Sequence, residues 1–400
     1  MHREDFAILN NNNNLVYFDN GATTLKAKCV VDIINDYNTK FTANAHRGDY
    51  KNSVVVDNLY DGAREKVMNF INAKEKSEIV FTSGTTDSLN MIVFGYFANV
   101  LKENDEVLIT ESEHASNILP WFILQERLKI KVKYIKLNDN NEVTIEEVKN
   151  AITDKTKVIS IAHITNVIGD VRPIKEISKI AHENNILLVV DAAQSIAHVE
   201  VDVQDMDIDF MAFSGHKMYS STGTGVLYGK FNLLDKLIPI NYGGGMNAIF
   251  TKDGYYELRE IPTRLEAGTP NIEGVIALGE VIDYLSNIGL DNIYKYEHDL
   301  RNYLINELEK LDFIELYNKD NDSAIVAFNI KGVFSQDTAV YLDKYNICVR
   351  AGNHCAKILN NVFNVNNTCR ISLSFYNTKE EIDLLINVLK NSKNIWQEIL

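Results

Sequence analysis

Residues 186–194 read ILLVVDAAQ, and residues 209–217 read DFMAFSGHK. Each is an unbroken apolar run closed by a polar cluster. A strand with one wet face alternates apolar and polar residues. A run without alternation reads as a strand buried on both faces, as in a mostly parallel sheet covered by helices. The same plan recurs upstream in EIVFTSG (78–84) and KVISIAHI (157–164). Helical patterns lie between these runs: Ile145, Val148 and Ile152 share one face, and so do Ile174, Ile177 and Ala181 after Pro173 in a first turn. Alternating strands and helices give an α/β architecture.

The pattern changes near Asn292. A long amphipathic helix (Tyr296, Leu300, Leu304, Leu308) leads to strand-like SAIVAFNI (323–330), helical TAVYLDKY (338–345), strand-like ICVR (347–350) and CRISLSF (369–375). Thr378 with Glu381 three residues on is a capping box that opens the last clear helix. Near the start, Asn10–Asn14 is a polar loop. LVYFDNGATT (15–24) reads as a short strand ending in a turn at Asn20-Gly21. The expected division is an N-terminal segment, 1–17, packing with the small domain, then a large domain, 18–290, and a smaller α/β domain, 291–400. Five prolines offer no obvious flexible linker, so close packing of the two is expected.

A net charge of -15 argues against a nucleic-acid surface, and no apolar run approaches the roughly 20 residues of a membrane span. The opening MHREDFAILNNNNN lacks the apolar core of an export signal, which points to the cytoplasm. The four cysteines show no C-x-x-C and no zinc spacing. Cys29, Cys348 and Cys369 are expected to be small buried hydrophobes. Cys355 differs: VRAGNHCAKI (349–358) sets it beside His354 and near Arg350, the surroundings of a reactive thiolate rather than of an inert thiol.

In an open α/β sheet, ligands sit at the carboxyl ends of the strands. Three polar clusters fall there. Gly84, Thr85 and Thr86 open a helix with backbone N–H groups and two hydroxyls, which suits a phosphate, though ordinary N-capping reads the same way. Asp191 ends a buried strand, where a carboxylate needs a partner; a salt bridge or helix cap is the alternative to a cationic ligand atom. Lys217 follows 26 residues later, one strand-connection-strand unit on. An amine, a carboxylate and a phosphate cup in one crevice are what pyridoxal phosphate needs.

Taken together, NGATT (20–24), SGTT (83–86), EHASNILPW (113–121), DAAQS (191–195), SGHK (214–217), EAGTPN (266–271), RAGNHCA (350–356) and YNT (376–378) resemble the class V aminotransferases. More narrowly they resemble the group II, SufS-type cysteine desulfurases, whose cysteine loop is compact. The resemblance implies a pyridoxal 5'-phosphate-dependent transferase fold of type I, with a mostly parallel seven-stranded sheet. It implies that Lys217 holds the cofactor, Asp191 pairs with the ring nitrogen, Gln194 bonds the ring oxygen and His114 stacks on the ring. Thr85, Thr86, Ser214 and His216 would bind the phosphate, and Thr269 that of a partner subunit in a homodimer. Arg370, helped by Asn166, would clamp the carboxylate of L-cysteine. Arg350 and His354 are candidates for the positive charge that raises the thiolate fraction of Cys355, and His46 lies in a segment near the active site. The products would be L-alanine and a persulfide on Cys355, passed to a SufU- or SufE-like acceptor for iron–sulfur cluster assembly. A selenocysteine lyase, another class V lyase or aminotransferase, or a sulfur-relay scaffold with a vestigial site are the rival readings. Asn353 departs from the pattern, which usually has a second histidine there.

Overall fold

The computed structural model describes residues 2–317, 319–392 and 395. After a short β1 (Val16–Tyr17), seven strands build the large sheet: β2 (Ile79–Thr82), β3 (Glu106–Thr110), β4 (Lys131–Ile135), β5 (Thr156–Ala162), β6 (Leu187–Asp191), β7 (Phe210–Ser214) and β8 (Gly225–Gly229). Their order is β2-β8-β7-β6-β5-β3-β4. Only β8 runs against its neighbours; the other pairings are parallel.

The unbroken apolar runs have the reason inferred for them. On β6, Leu188 and Val190 face one apolar layer, and Val189 faces the other. The first layer includes the helices Lys51–Phe70 and Ile272–Ile288; the second includes Leu119–Leu128. Each fully buried Val or Leu contributes about 1.5–3 kcal/mol of transfer free energy, so both faces are heavily specified. The β4 edge carries outward Lys131 and Lys133, which discourage pairing with another chain.

An exposed hairpin, β9 (Asn247–Phe250) and β10 (Tyr256–Leu258), precedes the C-terminal part. There β11 (Ile314–Tyr317), β12 (Ile325–Ile330), β13 (Ile347–Cys348), β14 (Arg350–Gly352) and β15 (Thr368–Ser372) follow. The small sheet is antiparallel, in the order β11-β12-β15-β14. The stretch ICVR, expected as one strand, divides in two. Its first half, β13, pairs in parallel with β1, whereas Arg350 opens β14 against β15. Helices Leu290–Leu308 and Lys379–Lys390 cover this sheet through Leu300, Leu304, Ile382 and Leu385. The Thr378–Glu381 capping box is formed. Arg3 ties the N-terminus to the same region through Glu381 at 2.6 Å. No helix among the described residues is long and apolar enough to cross a membrane.

Candidate active site

The carboxyl ends of β2, β3, β5, β6 and β7 open towards the β14–β15 edge, and a cleft of about 790 Å³, counted to its open mouth, lies between them. Thr85, Thr86, His114, Asn166, Asp191, Gln194, Ser214, His216, Lys217, Arg350, Cys355 and Arg370 all line it. Residues spread over 286 positions of sequence thus meet in one place.

A short 3-10 turn after β7 (Gly215–Lys217) carries Lys217 onto the cleft floor. Burial pushes its amine down to about 8, with Asp191 pulling the other way. Asp191 accepts the Ala193 N–H at 2.9 Å, and burial raises its carboxyl to about 6. Gln194 donates to the Gly21 carbonyl at 2.8 Å. At the opposite end Ser214 Oγ accepts the Thr85 N–H at 2.8 Å and stands 2.7 Å from Thr85 Oγ1. Thr86 Oγ1 lies 2.7 Å from Ser116 Oγ. Gly225 must be glycine here: a Cβ on it would stand 2.4 Å from Gly84 Cα.

His114 accepts the Ser116 N–H through Nδ1 at 3.1 Å. Burial, then Lys217 and Arg370, lower it to about 4, so the ring is neutral. Beneath it lies a buried ion pair absent from the sequence reading. Arg172 donates to Glu113 through Nη1 and meets Asp170 through Nε at 3.3 Å. Its Nη2 donates to Thr110 Oγ1 and Ser112 Oγ at 2.8 and 2.7 Å. Glu113 also takes the Ala162 N–H at 2.9 Å, so the pair braces both His114 and the end of β5. Arg172→Met leaves Glu113 buried without its cation, which costs about 3–5 kcal/mol. A urea titration followed by tryptophan fluorescence is expected to show the midpoint falling accordingly; an unchanged midpoint refutes the brace.

Arg370 is fully buried. Its Nη1 donates to the Asn166 carbonyl at 2.8 Å, and its Nη2 meets Asp19 Oδ1 at 3.0 Å. Gly21 packs on the guanidinium, where a Cβ would come within 3.1 Å of Cζ. Asn166, expected to help clamp the substrate carboxylate, lines the cleft and donates its side chain to the His354 carbonyl at 2.7 Å.

The cysteine loop is held in sparsely populated backbone conformations: φ is +131° at Gly352, +50° at His354 and +58° at Cys355. Such strain persists where the surroundings over-determine it. The Asn353 side chain accepts the Cys355 N–H at 3.2 Å, and Ala115 N–H donates to the Cys355 carbonyl at 2.8 Å. This turn-stabilising use of an amide side chain accounts for Asn353. The expectation that His354 supplies positive charge is wrong. His354 is buried, places Nε2 3.0 Å from the Thr368 carbonyl and hydroxyl oxygens, and is pushed down to about 3 by burial. Arg350 remains a cation of that loop, and Cys355 itself is exposed.

Two sequence candidates stay outside the cleft. His46 is exposed, 3.7 Å from Asp57 and 3.6 Å from Asp61. Thr269 is exposed beside Asn44, at 3.5 Å, and Arg47 donates to the neighbouring Gly268 carbonyl. The other cysteines are not uniform: Cys369 is buried, but Cys29 and Cys348 are only partly so. Sequence reasoning also missed Asp19 and Gly21; the signal was an acidic residue at a strand end, directly before a turn, in FDNG.

A profile of the class-V aminotransferase family matches residues 16–385. A probable cysteine desulfurase of Halalkalibacterium halodurans is 41% identical over 391 residues, covering 97% of this chain and 96% of that protein. One from Staphylococcus aureus is 42% identical over 399 residues, covering 98% and 96%. Among solved structures, the apo cysteine desulfurase of Thermococcus onnurineus superposes with a TM-score of 0.93 at 37% identity, covering 97% of this chain and 96% of that one. The cysteine desulfurase CsdA of Escherichia coli, in an S-sulfonic acid form, gives 0.93 at 33%, covering 98% of both.

Proposed function

The chain belongs to the class-V aminotransferase family and is a cysteine desulfurase within it; from that premise we propose how its own residues divide the work. The reading rests above all on one observation: an exposed thiol, Cys355, shares a cleft with Lys217, Asp191 and Arg370.

The residues present fit pyridoxal 5'-phosphate. Lys217 offers an amine lowered to about 8, Asp191 a carboxylate at the end of β6, and Thr85 and Ser214 paired hydroxyls beside a glycine without a Cβ. Lys217 would hold the group, Asp191 would pair with its ring nitrogen and Gln194 with its ring oxygen, and His114 would lie against its face. Thr85, Thr86, Ser214 and His216 would take its phosphate. When bound, the cofactor supplies an electron sink for the pair left when the substrate's α-proton departs.

Arg370 and Arg350 hold the carboxylate of L-cysteine by charge-assisted hydrogen bonds, helped by the Asn166 side chain. Lys217 takes the α-proton as general base. Cys355, as thiolate, attacks the substrate sulfur; its S–S bond forms as the carbon–sulfur bond breaks, leaving a persulfide and, after reprotonation, L-alanine. A small SufU- or SufE-like protein would then receive the sulfur in the cytoplasm, for iron–sulfur cluster assembly. Thr269 and His46 share a surface away from their own cleft, which supports a homodimer in which they serve the partner's site. On this division, residues 18–290 bind the cofactor and residues 291–400 carry the nucleophile.

The test is incubation of the purified enzyme with L-cysteine and a thiol reductant. Alanine and sulfide are expected in equal amounts, and in a parallel reaction without reductant a persulfide is expected on the Cys355 peptide, trapped by alkylation and found by mass spectrometry. Cofactor-loaded enzyme releasing no alanine refutes the assignment. A pH prediction accompanies it. Burial disfavours the Lys217 ammonium, so the reactive free amine accumulates as pH rises through about 8, rather than through the ordinary lysine value of 10.5. The rate at which cofactor-free protein takes up pyridoxal phosphate should rise with that midpoint, read by the change in absorbance.

A further inference from the structure

The charge of the carboxylate clamp is set by a residue that does not line the cleft. In the antiparallel pairing of β14 with β15, Arg350 stands directly opposite Arg370. Cross-strand partners have Cβ atoms about 5 Å apart, and like charges there repel. Asp19, positioned by a backbone bridge to Ser372, answers both: Oδ1 lies 3.0 Å from Arg370 Nη2, and Oδ2 lies 3.9 Å from Arg350 Nη1. Lys217, the other cation that acts on Asp19, is committed to the cofactor in the holoenzyme and does not enter the count. Two arginines against one aspartate leave a single positive charge in excess, that of one carboxylate.

We propose that Asp19 is a specificity-determining positioning residue: it holds the Arg350–Arg370 pair to one uncompensated charge, so that the cleft takes a monoanionic carboxylate and turns away divalent anions. The inference rests on the reading of Arg370 as the seat of the substrate carboxylate. It requires Asp19 to act by charge, not only by holding the fold, because a neutral isostere fills the same space. Removing its charge leaves two guanidinium groups free to share a divalent anion.

The experiment is calorimetric titration of the holoenzyme with sodium sulfate, at ionic strength held constant with sodium chloride. Wild type, Asp19→Asn, Arg350→Gln and the double variant are compared. Asp19→Asn is expected to bind sulfate at least about tenfold more tightly than wild type, because a second full charge is exposed to the same anion. The double variant restores the excess of one and is expected to return to within about threefold of wild type, a non-additivity that a purely structural role does not produce. In steady-state assays Arg350→Gln, which loses a carboxylate hydrogen bond and a cation near Cys355, should raise KM for L-cysteine about tenfold and lower kcat as well, and the double variant should recover part of the KM but not the kcat. Equal sulfate affinity in wild type and Asp19→Asn overturns the proposal. If Asp19→Asn does not fold, Asp19→Ser, smaller and equally uncharged, replaces it in the same titrations, and sulfate affinity equal to wild type again overturns the proposal. Wild type that releases no alanine from L-cysteine would refute the activity instead, while the sulfate titrations would still decide the charge count.

Discussion

Cys355→Ala is expected to lower alanine release from L-cysteine by ~10³-fold or more, as removal of a catalytic nucleophile commonly does, without unfolding the protein. The thiol is exposed, so truncating it removes little packing. The backbone of residue 355 sits at φ +58° with either side chain, and the bonds that hold it there come from backbone atoms and the Asn353 side chain. The variant should therefore keep the wild-type melting temperature and the absorbance of the bound cofactor. Alanine measured by chromatography gives the answer directly. Equal release by the two proteins removes Cys355 from the mechanism and brings a lyase that needs no thiol to the front.

Lys217→Ala should be at least as severe. It removes both the attachment point and the base, and a positioned general base alone is worth about 10²–10⁴-fold. Cofactor should no longer remain with the polypeptide after borohydride treatment and denaturation. Lys217→Arg asks whether the positive charge alone suffices. Arginine keeps the positive charge opposite Asp191 but cannot give up its proton at accessible pH. The arginine variant is expected to be as inactive as alanine; activity within tenfold of wild type would show that Lys217 acts only as a charge.

Much of this was legible because strand ends carry their polar clusters in fixed order. DAAQ and SGHK announce Asp191 and Lys217 through the apolar runs before them, and the structure places both in one cleft. What the sequence hid is tertiary. Nothing local says that Glu113 and Arg172 meet beneath His114, since 59 residues separate them. A histidine next to a cysteine looks like a cation until burial, reinforced by Arg370, is known to keep it neutral against the pull of the Thr368 carbonyl. β3, β4 and β8 escaped notice because KVKYI alternates lysine with apolar residues, EVLIT follows a charged stretch, and GVLYG offers only three residues between its glycines. His46 and Thr269 fail to reach their own cleft for a plainer reason: both lie on an exposed surface of the single chain.

The uneven exposure of the four thiols has a consequence for the lifetime of the enzyme in an oxidising medium. Burial raises the Cys29 thiol to about 11 and the Cys369 thiol to about 12, keeping them protonated and shielded, and Cys348 is raised as well. Cys355 alone stands in the open. Peroxide damage should therefore concentrate on one sulfur atom, climbing from the reversible sulfenic to the irreversible sulfinic and sulfonic states, while the rest of the protein stays intact. The opening through which sulfur leaves is also the door through which the catalyst ages.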